Sequence, residues 1–486
     1  MTDTPLRLFG TDGIRAPFGT PPLDRDTVTA VATALASTLG EASDGAPPTV
    51  VLGGDTREST PEICRWVAAG LAAGGARWRY LGVAPTPAIA RLAAELGADA
   101  GVAVSASHNP LPDNGVKLLD RRGAKWSEEA ERRLEARIAE SERPAAAADP
   151  GAPPAAGRAA EAWAGDGLPR LEADEEAAER WLDLVAASAD GRGADAEGEG
   201  AETDDAPAPL AGLCVALDAA NGAASPYARR LFERLGARVQ VLCDGPDGQN
   251  INRGCGSTDP GRLAEAVKAW RCDVGFAFDG DADRAILVDE TGEVRDGDAI
   301  LYLWARALDA AGELPRRKIV ATSMSNLGLE RALAAAGIGV VRCGVGDREV
   351  VDTMHREGIV LGGEQSGHVV HLGLSATGDG LLTAVQVAKT VRDAGRPVSE
   401  LLAGFRRFPQ VLLNVRVARK PDLDGLPKVA AAVARVRREL GDEGRLVLRY
   451  SGTEPLARVM IEGPEQETID RQAEEIAATI CAEIGE

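Results

Sequence analysis

Three stretches of the chain repeat one order of hydrophobic and polar positions. TVVLGGDTRESTPEICRWVAAGLAAGGARWRYLG (49–82), LCVALDAANGAASPYARRLFERLGARVQVL (213–242) and KIVATSMSNLGLERALAAAGIGVVRCG (318–344) each open on a β-branched run and pass through a polar turn. Each continues with apolar residues at helical spacing and ends in a second apolar run. Short apolar runs bounded by turn residues suit strands buried on both faces, and strand–helix–strand alternation implies βαβ units. Three copies predict three related α/β domains in series, with mixed or parallel sheets.

The chain after 405 has a different pattern. VLLNVRVAR (411–419), RLVLRY (445–450) and ARVMIEG (457–463) read as strands, with one helix over 425–440 and another closing the chain, which predicts an antiparallel α+β domain. The expected architecture is four domains around a central cleft, at 1–145, 211–296, 297–405 and 406–486. Between the first two, residues 146–210 read as a linker. There EEAAERWLDLVAAS (175–188) has Trp181, Leu182 and Val185 at helical spacing, whereas GRGADAEGEGAETDDAPAP (191–209) contains nothing to bury. That second piece is expected to be a disordered, dispensable insertion. Its GRGADA matches GxGxxA formally, but no strand precedes it and no helix follows, so it is not a dinucleotide site.

Composition narrows the class. The 486 residues carry a net charge of −21, which opposes nucleic acid or an anionic membrane as a partner. The first residues, MTDTPLRLFG, lack the basic and apolar regions of a secretory signal, and no apolar run reaches membrane-spanning length, so a cytoplasmic location is expected. Acid excess with arginine largely replacing lysine fits either a salt-rich cytoplasm or GC-rich coding. The seven cysteines are scattered singly without a CxxC pair and are expected to be reduced and mostly buried.

Chemistry concentrates in a few loops. ASHNPLPDNGVK (106–117) holds one of only four histidines and one of only seven lysines in the chain, and Pro110, Pro112 and Gly115 predict a loop of fixed course across the segment. VGFAFDGDADRAILVDE (274–290) sets Asp279, Asp281 and Asp283 at alternate positions after an apolar strand. Carboxylates so close repel one another unless a cation sits among them, and magnesium suits oxygen ligands that leave room for a substrate phosphate. A calcium EF-hand loop fails because Arg284 stands where that loop needs glycine and a strand replaces the flanking helix. LGGEQSGHVV (361–370) offers Glu364, Ser366 and His368 on a glycine-bracketed loop, side chains suited to vicinal sugar hydroxyls. RYSGTEPLARVM (449–460) joins two strands through Ser451, Gly452 and Thr453, whose backbone N–H groups can nest an anion between Arg449 and Arg458. No GxxxxGK[ST] occurs, so the phosphate is not held as in P-loop enzymes.

Taken together, FGTDGIRA (9–16), SASHNPLPDNGVK (105–117), DGDADR (279–284), GEQSGH (363–368) and RYSGTEP (449–455) resemble, in order and spacing, the signature loops of the α-D-phosphohexomutases. The resemblance spans nearly the whole chain except 142–210, and five loops in order are far more specific than any one of them. Ala16 departs from the glycine usual after the arginine. The resemblance implies that Ser107 is a phosphoserine and a ligand of the magnesium held by Asp279, Asp281 and Asp283. It also implies that Arg15, His108, Lys117 and Arg284 handle charge and protons. A sugar phosphate would be converted through a sugar 1,6-bisphosphate, which serves as intermediate and activator. PDGQNINRGCGSTD (246–259), MSNLGLE (324–330), VGDREV (345–350), TGDGLL (377–382) and the GEQSGH loop resemble the members that interconvert glucosamine 6-phosphate and glucosamine 1-phosphate. Glucose or mannose phosphate is the alternative substrate. A magnesium-dependent sugar phosphatase and a silent sugar-phosphate sensor are more distant alternatives. Monomer and homodimer are both compatible with the sequence.

Overall fold

The computed structural model describes residues 8–10, 12–42, 45–141, 166–189, 207–451 and 455–485. The acidic stretch at 191–209 therefore lies, as far as residue 206, outside the described residues, as do Gly452 and Thr453.

The repeated pattern becomes a repeated sheet. In the first, Ala100–Val104 and Arg77–Val83 flank Thr49–Gly54 in parallel, and Asp113–Asp120 runs back antiparallel beside Ala100–Val104, with Ile14–Pro17 on the edge. In the second, Cys214–Asp218 lies parallel between Arg238–Leu242 and Val274–Phe278, and Ala285–Asp289 returns antiparallel. In the third, Lys318–Thr322 lies parallel between Gly339–Cys343 and Leu361–Gly363, and Val369–His371 returns antiparallel. Each sheet thus turns from its third parallel strand into an antiparallel one. The turning segments are 105–112, 279–284 and 364–368, three of the loops that carry the candidate chemistry. One topological position, repeated three times, presents the three loops.

The last sheet is wholly antiparallel, with Leu456–Glu462 between Gln410–Arg416 and Arg445–Tyr450. The helices Pro427–Leu440 and Gln466–Ile484 bury Val429, Val433, Val436, Ile469, Ile476 and Ile480 against it. This domain docks on the third through the buried Glu462, which pairs with Arg445 at 2.7 Å and accepts the Leu327 N–H, while Arg445 donates to the Ser325 carbonyl.

The helix Glu175–Ser188 forms over the span where Trp181, Leu182 and Val185 predict one, capped by Asp174 accepting from the Ala177 N–H. The sequence pattern gives its apolar stripe but not its neighbours. It packs against helices from three domains, Thr86–Glu95, Ala228–Arg234 and Gly380–Ala394, with Trp181 fully buried edge-on to Tyr227. One continuous apolar cluster runs from Val51 of the first sheet through Trp181 to Val391, joining the three α/β domains. Among the described residues no helix is long and apolar enough to cross a membrane.

Candidate active site

Ser107 closes the turn after Ala100–Val104, 1% exposed and in the left-handed region at φ 52°. A non-glycine residue there carries about 1–2 kcal/mol of strain, so surrounding bonds must hold it. They do. The Ser107 N–H donates to Ser105 Oγ at 2.8 Å, and Ser105 Oγ donates to Asp55 Oδ2 at 2.7 Å. Arg57, itself 1% exposed, donates through Nη2 to the Ser107 and Asn109 carbonyls at 3.1 and 2.9 Å and through Nη1 to Pro110 O at 2.8 Å; its Nε pairs with Asp55 at 3.0 Å. Asn252, from the second domain, donates to the Ser107 carbonyl at 2.9 Å.

The expectation of a loop across the whole of 106–117 is corrected here, because the strand Asp113–Asp120 begins inside it and carries Lys117. Gly115 is a strand residue for a spatial reason: a Cβ there would lie 2.6 Å from Ile14 O and 2.7 Å from Ser105 O.

Ser107 Oγ donates a short bond to Asp279 Oδ2 and lies 3.2 Å from His108 Nδ1. Arg284 Nη1 donates to the same His108 nitrogen at 3.2 Å, so Nδ1 is an acceptor and the ring is neutral. Burial, with Arg284 and Arg15 beside it, pushes the His108 imidazole down to about 4. Arg15 pairs with Asp12 and donates to Asn109 Oδ1 at 3.0 Å.

Asp279, Asp281 and Asp283 are all buried, with ligand oxygens within 4.8 Å of one another. Gly280 lets this loop touch the serine loop, since a Cβ there would sit 2.5 Å from Ser107 O. Burial, reinforced by Asp283 and Asp281, holds the Asp279 carboxyl well above the usual carboxylate range. Burial would raise Asp283 too, but Lys117 and His368 outweigh it and hold that carboxyl well below. Lys117 Nζ lies 2.7 Å from Asp281, 3.5 Å from Asp283 and 3.3 Å from Asp12, and these carboxylates keep it charged against the pull of burial. Asp281 Oδ1 and Asp283 Oδ1 are buried without any hydrogen-bond partner. Orphaned anionic oxygens at the centre of a carboxylate cluster fit a hard divalent cation, so the residues present suit magnesium.

On the third hairpin, Glu364 Oε1 accepts the Gly346 N–H at 3.0 Å and Oε2 accepts from the exposed Ser366 Oγ at 3.2 Å. His368 is placed differently from these two. It is 2% exposed, its Nε2 accepts the Gly378 N–H at 3.2 Å, and its Nδ1 faces Asp283 at 3.7 Å, which sets it behind the acidic loop rather than at an open face.

The remaining candidates form a separate group on the C-terminal sheet. Arg449 and Arg458 are direct cross-strand partners, and Arg458 donates to Ser451 Oγ at 3.4 Å. Burial and the adjacent Arg458 lower the Arg449 pKa. Like charges directly opposed across two strands are unfavourable alone and become favourable when an anion lies between them.

Several members act through partners that no local motif specifies. Asp12 gathers Arg15, Lys117 and Lys125, and Lys125 also pairs with Asp347 of the third domain. Thr86 donates to Asp281, and its N–H donates to the Asp281 carbonyl at 3.0 Å. Asp12 and Asp347 lie within the FGTDGIRA and VGDREV motifs, whereas Thr86 and Lys125 lie outside every motif.

Comparison with known proteins agrees with this geometry. The family described as phosphoglucomutase/phosphomannomutase matches domain by domain: alpha/beta/alpha domain I over 6–145, II over 202–292, III over 296–408, and the C-terminal domain over 412–479. The chain belongs to this family of phosphohexomutases and is an isomerase-type enzyme. Within the family it is 43% identical to the phosphoglucosamine mutase of Solibacter usitatus over 479 residues, 99% of each chain. It is also 43% identical to that of Moorella thermoacetica over 470 residues, covering 96% of this chain and 97% of the relative. Among solved structures, a phosphoglucomutase/phosphomannomutase family protein from Burkholderia thailandensis superposes with a TM-score of 0.74 at 24% identity, covering 98% of this chain and 97% of that one. N-acetylphosphoglucosamine mutase of Aspergillus fumigatus, in complex with GlcNAc-6P and magnesium, gives 0.59 at 19% identity, covering 97% and 95%.

Proposed function

We propose that the chain interconverts glucosamine 6-phosphate and glucosamine 1-phosphate in the cytoplasm, with Ser107 as the phosphate carrier and a sugar 1,6-bisphosphate as intermediate. The observation that carries this reading is the convergence of Ser107, His108, Lys117, Arg284 and the three aspartates on one buried point. The amino-sugar preference rests on the relatives, which are phosphoglucosamine mutases.

Arg449, Ser451, Gly452, Thr453 and Arg458 bind the phosphate already on the sugar, while Glu364 and Ser366 hold ring hydroxyls. The sugar's free hydroxyl attacks the phosphorus on Ser107. The Oγ–P bond breaks, its electron pair stays on Oγ, and the proton given up by the attacking hydroxyl ends on Oγ, leaving Ser107 as the alcohol. Reversal at the other phosphate of the bisphosphate restores phosphorylated Ser107. Phosphoryl transfer depends on position and on charge placed where it develops, so Arg15, Lys117 and Arg284 act by surrounding Ser107 with cationic donors. Asp279 accepts the Oγ proton in the unphosphorylated enzyme, with His108 beside it. His368 orients Asp283. Asp279, Asp281 and Asp283 would hold magnesium with an oxygen of the phosphorylated serine, and when bound it neutralises charge on the transferred group.

A coupled assay on glucosamine, glucose and mannose phosphates tests the reading. A preference for either hexose phosphate above about tenfold, some 1.4 kcal/mol in transition-state binding, overturns the amino-sugar assignment. Glu364→Ala should lower kcat/KM by about one to two decades, the worth of one carboxylate hydrogen bond to a hydroxyl.

A further inference from the structure

We propose that Asp218, Cys243 and Cys255 form a second metal site, selective for a thiophilic divalent cation of the zinc class and separate from the aspartate cluster. The three residues come from three different segments of the second domain. Asp218 ends the strand Cys214–Asp218, Cys243 follows the strand Arg238–Leu242, and Cys255 lies in the segment before the helix Gly261–Trp270. Their carboxylate oxygen and two sulfurs all lie within 4.8 Å of one another.

The surroundings orient these atoms as ligands. The Asp218 carboxylate is fully buried and fixed by two backbone donors, Ala220 N–H to Oδ1 at 2.9 Å and Gly256 N–H to Oδ2 at 2.8 Å. Besides each other and the Asp218 carboxylate, with both of which Cys243 interacts, the sulfurs have outer polar neighbours in Asn221 Nδ2, 3.9 Å from Cys255 Sγ, and Arg262 Nη1, 3.7 Å from Cys243 Sγ. Outer donors of this kind hold metal-binding atoms in place and tune thiolates. Cys255 is buried and Cys243 half-buried, so an ion can enter from the Cys243 side and keep a water in its fourth position.

Charge selects the ion. Two thiolates and one carboxylate carry three negative charges, which a divalent cation and the Arg262 guanidinium together balance. Binding releases the two thiol protons to solvent. Soft sulfur donors favour zinc over magnesium, whereas the all-oxygen aspartate cluster favours magnesium, so the two sites divide the ions by ligand chemistry.

The site also bears on the serine loop. Asn252, three residues before Cys255, donates to the Ser107 carbonyl at 2.9 Å, and its own N–H donates to Ala220 O at 2.9 Å. An ion that fixes these three segments also fixes the residue that steadies Ser107.

The test uses reduced, full-length enzyme titrated with cadmium, a spectroscopic substitute for zinc whose thiolate bonds absorb in the ultraviolet, followed by zinc analysis after dialysis. One cadmium per chain with a thiolate band, and one retained zinc, are expected. Both should be lost in Cys243→Ser and Cys255→Ala and kept in Asp281→Asn. Cys214 and Cys272, whose sulfurs lie 3.0 Å apart elsewhere in this domain, serve as the control. The band must survive Cys214→Ser/Cys272→Ser. Absence of a thiolate band in the reduced wild type, or a band and zinc content unchanged in the Cys243→Ser and Cys255→Ala variants, overturns the proposal. So does loss of the band in the Cys214/Cys272 variant alone.

Discussion

Replacing Arg57 by lysine keeps the charge and most of the volume but removes the guanidinium fork. Arg57 makes five side-chain hydrogen bonds, one to Asp55 and four to the carbonyls of Ser107, Asn109, Pro110 and Leu111. A lysine ammonium has three donors at a single point, so at least two of these bonds are lost. Hydrogen bonds from a charged donor contribute roughly 1.5–3 kcal/mol each, so the loss is about 3–6 kcal/mol, shared between folding of the first domain and order of the loop. Holding Ser107 at positive φ costs only about 1–2 kcal/mol. The loss exceeds the strain it opposes, and Ser107 is free to leave its reactive position. Arg57→Lys should therefore lower kcat by about a hundredfold or more at saturating substrate and magnesium. Amide hydrogen exchange should show residues 106–111 losing protection while the Asp279–Arg284 loop changes little. Activity within threefold of wild type, with unchanged protection of 106–111, would refute the argument that Arg57 holds the serine in place.

Ser107→Ala should abolish the mutase reaction, and peptide mapping of the wild type should place a phosphate on Ser107; a phosphate mapped to another residue defeats the assignment. Asp281→Asn removes a buried ligand charge with little change of shape, so the magnesium concentration for half-maximal activity should rise and kcat should fall together. For pH, the informative group is Asp298. Burial and then Asp296 push its carboxyl up to about 7, Oδ2 accepts the Asn326 N–H at 2.6 Å, and Oδ1 has no partner. Because the folded pKa is raised, the native state keeps a proton that the unfolded chain releases between about pH 4 and pH 7. Stability attributable to this group is full below that window and lost as pH rises through it, by up to about 1.4 kcal/mol per pH unit. Asp298→Asn should flatten this part of the melting-temperature profile and raise stability at pH 8, and a profile identical to wild type would contradict the assignment.

Features that are local are legible in the chain before it folds. A β-branched run, a helical spacing and a glycine-punctuated polar turn act within a few residues, so the three α/β repeats, the antiparallel C-terminal domain and the chemistry-bearing loops are all legible in the string. The helix Glu175–Ser188 is legible for the same reason. Tertiary structure alone decided which loops meet. Arg57 reaches carbonyls some fifty positions away, Lys117 reaches Asp281 across 164 positions, and Lys125 joins Asp12 to Asp347 of another domain. None of these pairs leaves a periodic trace, because each partner is an ordinary polar residue until the sheets set their hairpins side by side. The same holds for His368, whose setting in a glycine-bracketed loop suggests contact with a sugar, although packing buries it behind Asp283. Likewise, an apolar stripe at 181–185 specifies that a surface must be covered, but only the fold supplies the three domains that cover it. Periodicity encodes the need for burial, and the partner is fixed when loop closure and sheet topology bring distant surfaces together.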